Sequence, residues 1–359
     1  MLNLSHRHLT AALASVMAFP LLTACGGDGG ADANSCQNAH VRMGALNSSS
    51  DAILFIADKK GYFADQGLQV ESVKFDSAAK MIAPLGSGQL DIGAGAPSAG
   101  FYNAVARGID VRIVADKAKL AGGYDFLPIL VRKDLVDSGK VKEIGDLKGL
   151  KVAEPAQATA TSSMVSAVLG SGNLTYDDVS HKYVAFPQQV AAFQNGSIDA
   201  AATIEPFATV AEQSGAAVRM FDSTKVYDNQ QISVLLYSAK FSSERSRVAQ
   251  CFMNAYAKAA KYYHDAVQNG GWKGAQGEEV ASIVADKIGL APETFGKTTP
   301  PFVSADASVN KESLERDYQF FKDQGLLESD VQPDFSKLVD MKYVEGAGAA
   351  GQSDQAGGK

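Results

Sequence analysis

Apolar residues along this chain follow two patterns, one with the length of strands and one with the period of helices. The run Val41–Leu46 has the length of a buried strand, and apolar residues at helical spacing follow it from Ile53 onward. Strands that alternate with helices of this length are typical of βαβ units and a largely parallel sheet. The pattern therefore predicts an α/β fold.

The same alternation continues through the chain and ends in three longer helices. The predicted strands and extended segments are Val41–Leu46, Leu68–Phe75, Leu90–Ala94, Val111–Ala115, Phe126–Val131, Lys182–Phe186, Ile198–Thr203, Val218–Phe221 and Gln231–Tyr237. The predicted helices begin at or just after Asp51, Ser77, Pro97, Thr161, Pro187 and Pro206, and the longer ones cover Ser243–Gln268, Gly277–Ile288 and Lys311–Gln324. Ser, Asp and Pro at helix starts and Gly at helix ends supply the expected caps.

One motif occurs twice, and it indicates a duplicated lobe. Leu85–Ile92 (Leu-Gly-Ser-Gly-Gln-Leu-Asp-Ile) matches Phe193–Ala200 (Phe-Gln-Asn-Gly-Ser-Ile-Asp-Ala) in its Gly and in its apolar-Asp pair. A second pair follows, Gly108–Val114 and Gly215–Phe221. Two similar α/β lobes that face each other across a cleft can bind a small molecule between them.

The repeat and the two extended segments predict the domain boundaries. We expect residues 41–127 and 238–345 to form lobe 1 and residues 128–237 to form lobe 2. The late helices go to lobe 1, because the two extended segments then cross between the lobes as a two-stranded hinge. The Gly-rich and Ala-rich residues 346–359 are expected to be a disordered tail.

The N-terminus is typical of an exported protein. Arg7 precedes an uncharged, mostly apolar run from Leu9 to Leu22 that is too short to span a bilayer, and Leu22-Thr-Ala-Cys25 resembles the lipobox of bacterial lipoproteins. We expect a signal peptide over residues 1–24, acylation of Cys25, and a lipidated flexible tether over residues 25–40. The alternative is a plain secretory signal cut elsewhere. Either way the expected location is the cell envelope, in the periplasm or at the outer face of the cytoplasmic membrane.

Two cysteines remain after Cys25. Export would place Cys36 and Cys251 in an oxidising compartment, where a disulfide between the start of the core and a late helix is permitted. The alternative is one buried thiol and one exposed thiol. The sequence leaves this choice open.

Composition narrows the function classes. The 359 residues are enough for two domains, and 46% hydrophobic and 20% charged residues are ordinary for a globular protein. A formal net charge of -7 without a basic stripe opposes nucleic-acid binding.

Neutral hydrogen-bond donors fill the loops that follow the predicted strands. In open α/β sheets ligands bind beyond the carboxyl ends of the strands, where helix N-termini present unpaired backbone N–H groups. The candidate ligand-binding donors are Ser49, Ser50, Ser98, Thr159, Thr161, Ser162 and Gln188. Such a set suits an oxyanion held by dipoles and hydroxyls, although each Ser or Thr is also a plausible cap of its own helix.

Three further residues are candidates for contact with a ligand. Lys117 follows a predicted strand and could reach an anion, and the Tyr124 ring could stack on a planar or apolar ligand body. Glu205 could face the cleft, with helix capping as the alternative.

Tests for catalytic and metal-binding motifs are negative. Gly93–Gly100 has the wrong spacing for a dinucleotide loop, and His40, His181 and His264 have no metal-ligand spacing and no plausible nucleophile beside them. We therefore expect no enzyme, no metal site and no cofactor, although carboxylate-based active sites leave little local signature.

Several motifs together resemble a known family. The run Gly61-Tyr-Phe63 with Gly67-Leu68, the run Gly88-Gln-Leu-Asp91, and Glu205-Pro206-Phe207 are similar to the substrate-binding proteins of ABC importers in the nitrate/sulfonate/taurine family, and also to binders of thiamine-pyrimidine precursors. The resemblance implies a two-lobe periplasmic-binding-protein-like fold of type II with two crossover hinge strands. It also implies ligand contacts in the loops above and a membrane permease as partner. Lys117–Asp125 and Phe186–Gln188 depart from the family pattern.

The sequence thus predicts a monomeric, lipid-anchored receptor that closes on a small organic anion, of the sulfonate or aromatic carboxylate type, and delivers it to an ABC permease. The departures at Lys117–Asp125 and Phe186–Gln188 favour an organic anion over nitrate. One alternative is an enzyme or a pyrimidine-precursor binder on the same fold. Another, the effector domain of a transcription regulator, would need a basic helix-turn-helix segment where this chain has an export signal.

Overall fold

The computed structural model describes residues 34–328 and 333–348. Its strands are β1 (Ala39–Ala45), β2 (Leu68–Lys74), β3 (Ile92–Gly95), β4 (Val111–Lys119), β5 (Ile129–Arg132), β6 (Lys151–Glu154), β7 (Ser180–Tyr183), β8 (Ala200–Ala202), β9 (Ala217–Phe221), β10 (Gln231–Ser238), β11 (Val267–Gln268) and β12 (Gly271–Trp272).

The α-helices flank these strands. They are α1 (Ala52–Lys59), α2 (Tyr62–Asp65), α3 (Ile82–Gly86), α4 (Ala99–Ala106), α5 (Lys133–Asp137), α6 (Ala160–Ser171), α7 (Phe186–Gln194), α8 (Phe207–Gln213), α9 (Ala239–Glu244), α10 (Ser246–Ala266), α11 (Gly274–Ile288), α12 (Pro292–Phe295), α13 (Lys311–Asp323) and α14 (Phe335–Leu338). Residues 342–348 are helical as well. No helix in the described ranges is both long and apolar enough to cross a membrane.

Two five-stranded sheets share one strand order, which confirms the predicted duplication. The first sheet runs β2-β1-β3-β10-β4 and the second β7-β6-β8-β5-β9, so each strand of one sheet has a counterpart in the other. Strands β10 and β5 take the same position, and each is antiparallel to both of its neighbours. Each sheet therefore contains one strand that follows a crossing between the lobes, β5 in the second sheet and β10 in the first. The predicted α/β fold of two lobes with two crossovers is confirmed.

The repeated Asp explains why the two sheets are alike. The Asp91 N–H donates to the Arg42 carbonyl of β1 at 3.0 Å, and its carboxylate accepts from the Arg42 N–H at 2.9 Å. Asp199 makes the same pair of bonds with Lys151 of β6, at 2.8 and 2.9 Å. The Gly that precedes each Asp, Gly88 or Gly196, has φ of 72°, where glycine is favoured.

The chain crosses between the lobes twice, at residues 120–128 and 222–230. The two crossings touch where the Leu120 N–H donates to the Gln230 carbonyl at 3.0 Å. The predicted lobe boundary put Gln231–Tyr237 in lobe 2, whereas β10 pairs within the first sheet, because its apolar residues complete the core there. The return crossing therefore ends before Gln231.

The ends of the core differ slightly from the predicted boundaries. The tether was predicted to reach residue 40, but β1 begins at Ala39 and Cys36 is already tied to the core. The tail was predicted from residue 346, but residues 346–348 are still helical and Ala347 is buried against the first-lobe core. The signal peptide (1–24), Cys25, most of the tether and residues 349–359 lie outside the described residues.

Apolar helix faces complete the first lobe. The amphipathic helix α10 buries residues at a spacing of three and four, among them Phe252, Tyr256, Ala259 and Tyr263. They pack on α1 and α11 in one cluster with the strand residues of the first sheet. The late helices therefore belong to the first lobe.

A disulfide fastens the start of the chain to this helix. Cys36 and Cys251 are bonded, with their Cα atoms 6.4 Å apart and 215 residues between them in sequence. This settles the choice that the sequence left open. Because the loop it closes is long, the bond removes much freedom from the unfolded chain.

Helix α13 contacts both lobes beside the crossings. Its Tyr318 ring meets Tyr102 of α4 at 5.2 Å, and its Phe320 ring meets Tyr176 of the second lobe at 5.4 Å. Between them, the buried carboxylate of Asp317 accepts hydrogen bonds from Tyr227 Oη at 2.8 Å and from Gln230 Nε2 at 3.0 Å. Burial raises the pKa of Asp317 to about 7.

Replacing both cysteines by Ser should lower the stability of the folded chain. The chain-entropy argument gives a loss of up to about 5 kcal/mol for a loop of this length. Urea denaturation of the oxidised wild type and of the Cys36→Ser/Cys251→Ser variant would measure it. An unchanged denaturation midpoint would show that the bond does not stabilise the fold.

Asp317→Asn should flatten the dependence of stability on pH. The folded-state pKa of about 7 lies above the value of about 3.9 in an unfolded chain, so between these values only the folded chain keeps the proton. The free energy of unfolding therefore falls as pH rises from about 4 to about 7. We expect a smaller fall in the variant, measured by urea denaturation at about pH 5 and about pH 8. Parallel profiles for the two proteins would contradict this assignment.

Candidate functional site

The carboxyl ends of the central strands of both sheets meet at one seam. The Ala99 N–H at the start of α4 donates to the Ala158 carbonyl at 2.9 Å, and Ser98 and Thr159 form an antiparallel bridge. On the other side of the seam, Ser49 Oγ donates to the Glu205 carbonyl at 2.7 Å. Ser49, Ser98, Thr159 and Glu205, which the sequence assigned to a common site, are thus brought together.

The first-lobe side of the seam is a short helical turn stabilised by a buried acid. Ser49–Asp51 form a 3-10 turn ahead of α1, and the Asp51 carboxylate accepts the Ser48 N–H at 3.0 Å. The Ser48 and Ser50 hydroxyls lie 2.9 Å apart, and both side chains are buried. From this turn the Ser49 hydroxyl reaches the second lobe, whereas the Ser50 hydroxyl accepts from Lys117.

Lys117 is held inside this cluster rather than facing solvent. Its fully buried ammonium lies 2.6 Å from Asp51 Oδ1, 3.0 Å from Ser50 Oγ and 3.3 Å from Ser233 Oγ. These three partners match the three hydrogens of an ammonium. The predicted ligand contact by Lys117 stays a prediction, and the geometry favours a role in positioning Ser50.

A second buried ion pair lies next along the strand. Lys119 Nζ is 3.5 Å from Asp116 Oδ2, and the Asp116 carboxylate also accepts from Gln231 Nε2 at 2.7 Å and from the Ser304 N–H at 2.9 Å. Burial raises the pKa of Asp116, and Lys119 opposes this rise. Both lysines at this side of the seam are therefore matched by acids.

The second-lobe side is built on the N-terminus of α6. The Thr159 N–H donates to Ser162 Oγ at 3.2 Å, and Thr161 and Ser162 are buried in the first turn. Thr159 forms a capping box with Ser162 at this N-terminus, and the hydrogen of its buried Oγ1 has no acceptor among the described residues. A helix of 12 residues presents the positive end of its dipole here.

Thr203 is a candidate that the sequence reasoning missed. It follows the last residue of β8, it is fully buried, and its Oγ1 also lacks a hydrogen-bond partner. Thr203 is the last residue of the predicted strand Ile198–Thr203, and it was not among the candidate donors. Its polar side chain after three alanines was the signal that could have found it.

The buried carboxylate of Glu154 is paired with His181. Glu154 Oε1, at the end of β6, accepts from Tyr176 Oη and meets His181 Nδ1, both at 2.7 Å. His181 Nε2 meets the Tyr176 carbonyl at 2.7 Å, so both ring nitrogens face acceptors. Burial lowers the pKa of His181, but the hydrogen bonds to Glu154 and Tyr176 outweigh it and the pKa is raised. Glu154 Oε2 is buried without a partner.

Glu205 is tied into the protein by several donors. Its carboxylate meets Arg219 Nη2 at 2.7 Å and accepts the Thr209 N–H at 3.1 Å, which caps the start of α8. Arg219 also contacts Glu212, at 3.3 Å. The alternative of helix capping that the sequence left open is thus realised, and ligand contact by Glu205 stays a prediction.

Two predicted site residues lie apart from the others. The Tyr124 ring packs on Phe302 at 5.3 Å against the first-lobe core. Gln188 is exposed in the first turn of α7, and the buried amide beside it is that of Gln189. Ligand contacts by Tyr124 and Gln188 also stay predictions.

Two cavities open along the seam beside Glu205. One of about 560 Å³ is lined by Thr209, Glu212, Gln213, Arg219, Lys297 and Thr299. The other, about 330 Å³, is lined by Gly123, Asp125, Arg219, Met220, Asp222 and Thr299. Burial raises the pKa of Asp125 to about 7. Nowhere in the described residues do three or more His, Cys, Asp or Glu side chains form a group that could hold a metal ion.

Comparison with known proteins gives relatives that are binding proteins. A Bacillus subtilis (strain 168) protein that bears the name aliphatic sulfonates-binding protein is 27% identical over 91% of this chain and 93% of its own length. The taurine-binding periplasmic protein of Escherichia coli (strain K12) is 23% identical over 86% of this chain and 94% of its own length.

Solved structures share the fold. The alkanesulfonate-binding protein SsuA from Xanthomonas axonopodis pv. citri, bound to MOPS, has a TM-score of 0.64 at 18% identity and covers 82% of this chain and 96% of its own. The nitrate-binding protein NrtA from Synechocystis PCC 6803 has a TM-score of 0.70 at 16% identity, with coverage of 87% and 89%. The desulfurization enzyme DSZB has a TM-score of 0.60 at 15% identity, with coverage of 87% and 99%, so the fold is not exclusive to binding proteins.

The family model described as NMT1-like family matches residues 34–283. This span contains both five-stranded sheets and the predicted site residues from Ser49 to Glu205. The chain therefore belongs to the NMT1-like family, and its relatives are substrate-binding proteins of the nitrate, sulfonate and taurine type that its motifs indicated.

Proposed function

We propose that this protein is the extracytoplasmic solute-binding component of an ABC importer, and that it captures a small organic anion between its lobes. The observation that carries the proposal is a pair of buried hydroxyls where the second lobe meets the seam, Thr159 Oγ1 and Thr203 Oγ1, whose hydrogens have no acceptor among the described residues. A buried polar group without a partner costs free energy, and a ligand that accepts its hydrogen bond would recover that cost.

The charge balance of the seam supports an anion bound by neutral groups. Lys117, Lys119 and Arg219 are each paired with a buried carboxylate, so none of the three is left over as a dedicated counter-ion. The other donors at the seam are hydroxyls, the backbone N–H groups at the starts of α4 and α6, and the exposed Lys297 that lines the larger cavity. Helix N-termini bind sulfonate and carboxylate oxygens in this manner without an obligatory cation.

Among organic anions we propose a sulfonate. Relatives named for aliphatic sulfonates and taurine align over most of the chain, which supports this class over an aromatic carboxylate or nitrate. Acylation of Cys25 would hold the protein at the outer face of the membrane as a monomer, where it would pass the ligand to the permease.

A melting-shift screen tests the proposed function. Taurine, alkanesulfonates, aromatic carboxylates, nitrate and aminopyrimidines would be added separately to the purified protein. A ligand at 100 times its dissociation constant should stabilise the folded form by about 2.7 kcal/mol. We expect the largest rise in melting temperature with a sulfonate. A rise with aminopyrimidines alone would identify a pyrimidine-precursor binder, and no rise with any anion would reject the proposal.

The enzyme alternative rests on the fold shared with DSZB and on the buried Glu154–His181 pair. Both cysteines of the described residues are joined in the disulfide, so neither supplies a thiol nucleophile. Prolonged incubation with the best ligand, followed by mass spectrometry, separates the two functions. Recovery of unchanged ligand supports binding, and conversion supports an enzyme.

Replacing Thr159 and Thr203 by Val, singly, should weaken binding of the best sulfonate at least tenfold, about 1.4 kcal/mol. Val keeps the size of Thr. The Thr203 hydroxyl has no hydrogen-bond partner among the described residues, so its removal should leave the stability of the ligand-free protein unchanged or higher. Thr159 is the N-cap of α6, so its replacement should lower that stability by about 1 kcal/mol. Isothermal titration and urea denaturation would measure the two effects.

Thr224→Val is the matched control for these variants. The Thr224 hydroxyl donates to Asp222 at 2.6 Å within the second lobe, so its loss should lower stability and leave affinity unchanged. Unchanged affinity in both the Thr159 and Thr203 variants would remove these hydroxyls from the site.

A further inference from the structure

The Glu205 side chain is fully buried and joins three segments of the chain. Oε1 meets Arg219 Nη2 at 2.7 Å, Thr209 Oγ1 at 3.1 Å and the Thr299 N–H at 3.3 Å, and Oε2 accepts the Thr209 N–H at 3.1 Å. Four donors therefore occupy this carboxylate, which has room for about four. The carboxylate is saturated by the protein itself.

These donors come from opposite sides of the seam. Arg219 and Thr209 belong to β9 and α8 of the second lobe, whereas Thr299 follows Phe295, which lies in the first-lobe core. The backbone carbonyl of Glu205 adds a second link, because it accepts from Ser49 Oγ of the first lobe at 2.7 Å. One residue of the second lobe thus holds two separate segments of the first.

The second-lobe end of this connection is rigidly anchored. Arg219 donates to the Asp125 carbonyl at 3.1 Å, and its guanidinium and its N–H also contact Glu212. Movement of the first lobe would therefore break the bonds to Thr299 and Ser49 and leave the Arg219 pair intact.

The connection stands between two cavities. Arg219 and Thr299 line both the cavity of about 560 Å³ and that of about 330 Å³. The residues that line the larger cavity are all polar, and the hydrogen bonds of Glu205 link the lobes beside it. Water in the cavities can replace those bonds when the seam opens.

We infer that Glu205 is a positioning residue that latches the closed form and so sets how slowly the ligand leaves. This inference rests on the proposed function for its ligand, but the latch itself is a property of the two lobes. Apparent affinity depends on the population of the closed, binding-competent form, so contacts that need no ligand still raise it. The ligand can leave only after the contacts of Glu205 with Thr299 and Ser49 break. Binding of the ligand to an open cleft does not require those contacts to break.

Glu205→Gln tests the latch, with Glu212→Gln as its matched control. Both variants remove one negative charge next to Arg219, but Glu212 contacts Arg219 within the second lobe alone. We expect the Glu205 variant to release the best sulfonate about tenfold faster and to bind it at a rate within about twofold of wild type. The Glu212 variant should change the release rate much less, because it leaves the bonds of Glu205 to Thr299 and Ser49 in place. Stopped-flow fluorescence or surface plasmon resonance would measure them.

A second variant and a ligand-free readout keep the test independent of the sulfonate assignment. Thr299→Pro removes the donated N–H and leaves Glu205 unchanged, and it should also speed release. Small-angle X-ray scattering without ligand should give a larger radius of gyration for the Glu205 and Thr299 variants than for wild type and the Glu212 variant. If no anion binds, the proposed function is rejected, but the scattering still tests whether Glu205 holds the ligand-free lobes together. Unchanged scattering and release in both latch variants would overturn it, as would equal effects of Glu212→Gln.

Discussion

The double hydrogen bond between each repeated Asp and the first strand of its sheet fixes the geometry of both lobes. Asp91 and Asp199 bond the N–H and the carbonyl of one residue in β1 or β6. Their own carbonyls accept from Ser238 and Arg132, at the far ends of the crossing strands β10 and β5. Three central strands are thus registered at one edge of each sheet. Because a slip of one residue would turn every side chain to the other face, this register also decides which residues emerge at the opposite edge, where the seam lies.

The seam tolerates many buried charges because each has a partner. Removing one member of the buried pair Lys117–Asp51 would leave an uncompensated charge, which is strongly destabilising. This pair therefore fixes the position of the Ser49–Asp51 turn. A weakly hydrated anion can be held by helix dipoles and hydroxyl groups that are already oriented. Little reorganisation of the protein then accompanies its binding.

Secondary structure and duplication were predictable because both depend on local pattern. Apolar periodicity located the strands, and the Gly and Asp of the repeat marked equivalent turns. Short helices such as α5 and α12 were missed, because four or five residues give too little periodicity to detect. Sheet membership of β10 also escaped prediction, since an apolar strand at a crossing fits the core of either lobe equally well by sequence.

The roles of individual seam residues were less predictable, because they depend on contacts distant in sequence. The sequence around Lys117 does not reveal that Asp51 and Ser233 contact its ammonium group. The sequence around Glu205 does not reveal that the Thr299 N–H donates to its carboxylate. Ser49, Ser98 and Thr159 lie at the seam, but only the structure separates hydroxyls with partners, such as that of Ser49, from those without a partner among the described residues, such as that of Thr203. A saturated group has no bonding capacity left for a ligand, whereas an unsatisfied one gains from it. Saturation, rather than residue type, is therefore the physical property that divides the residues that shape this seam from those able to recognise its ligand.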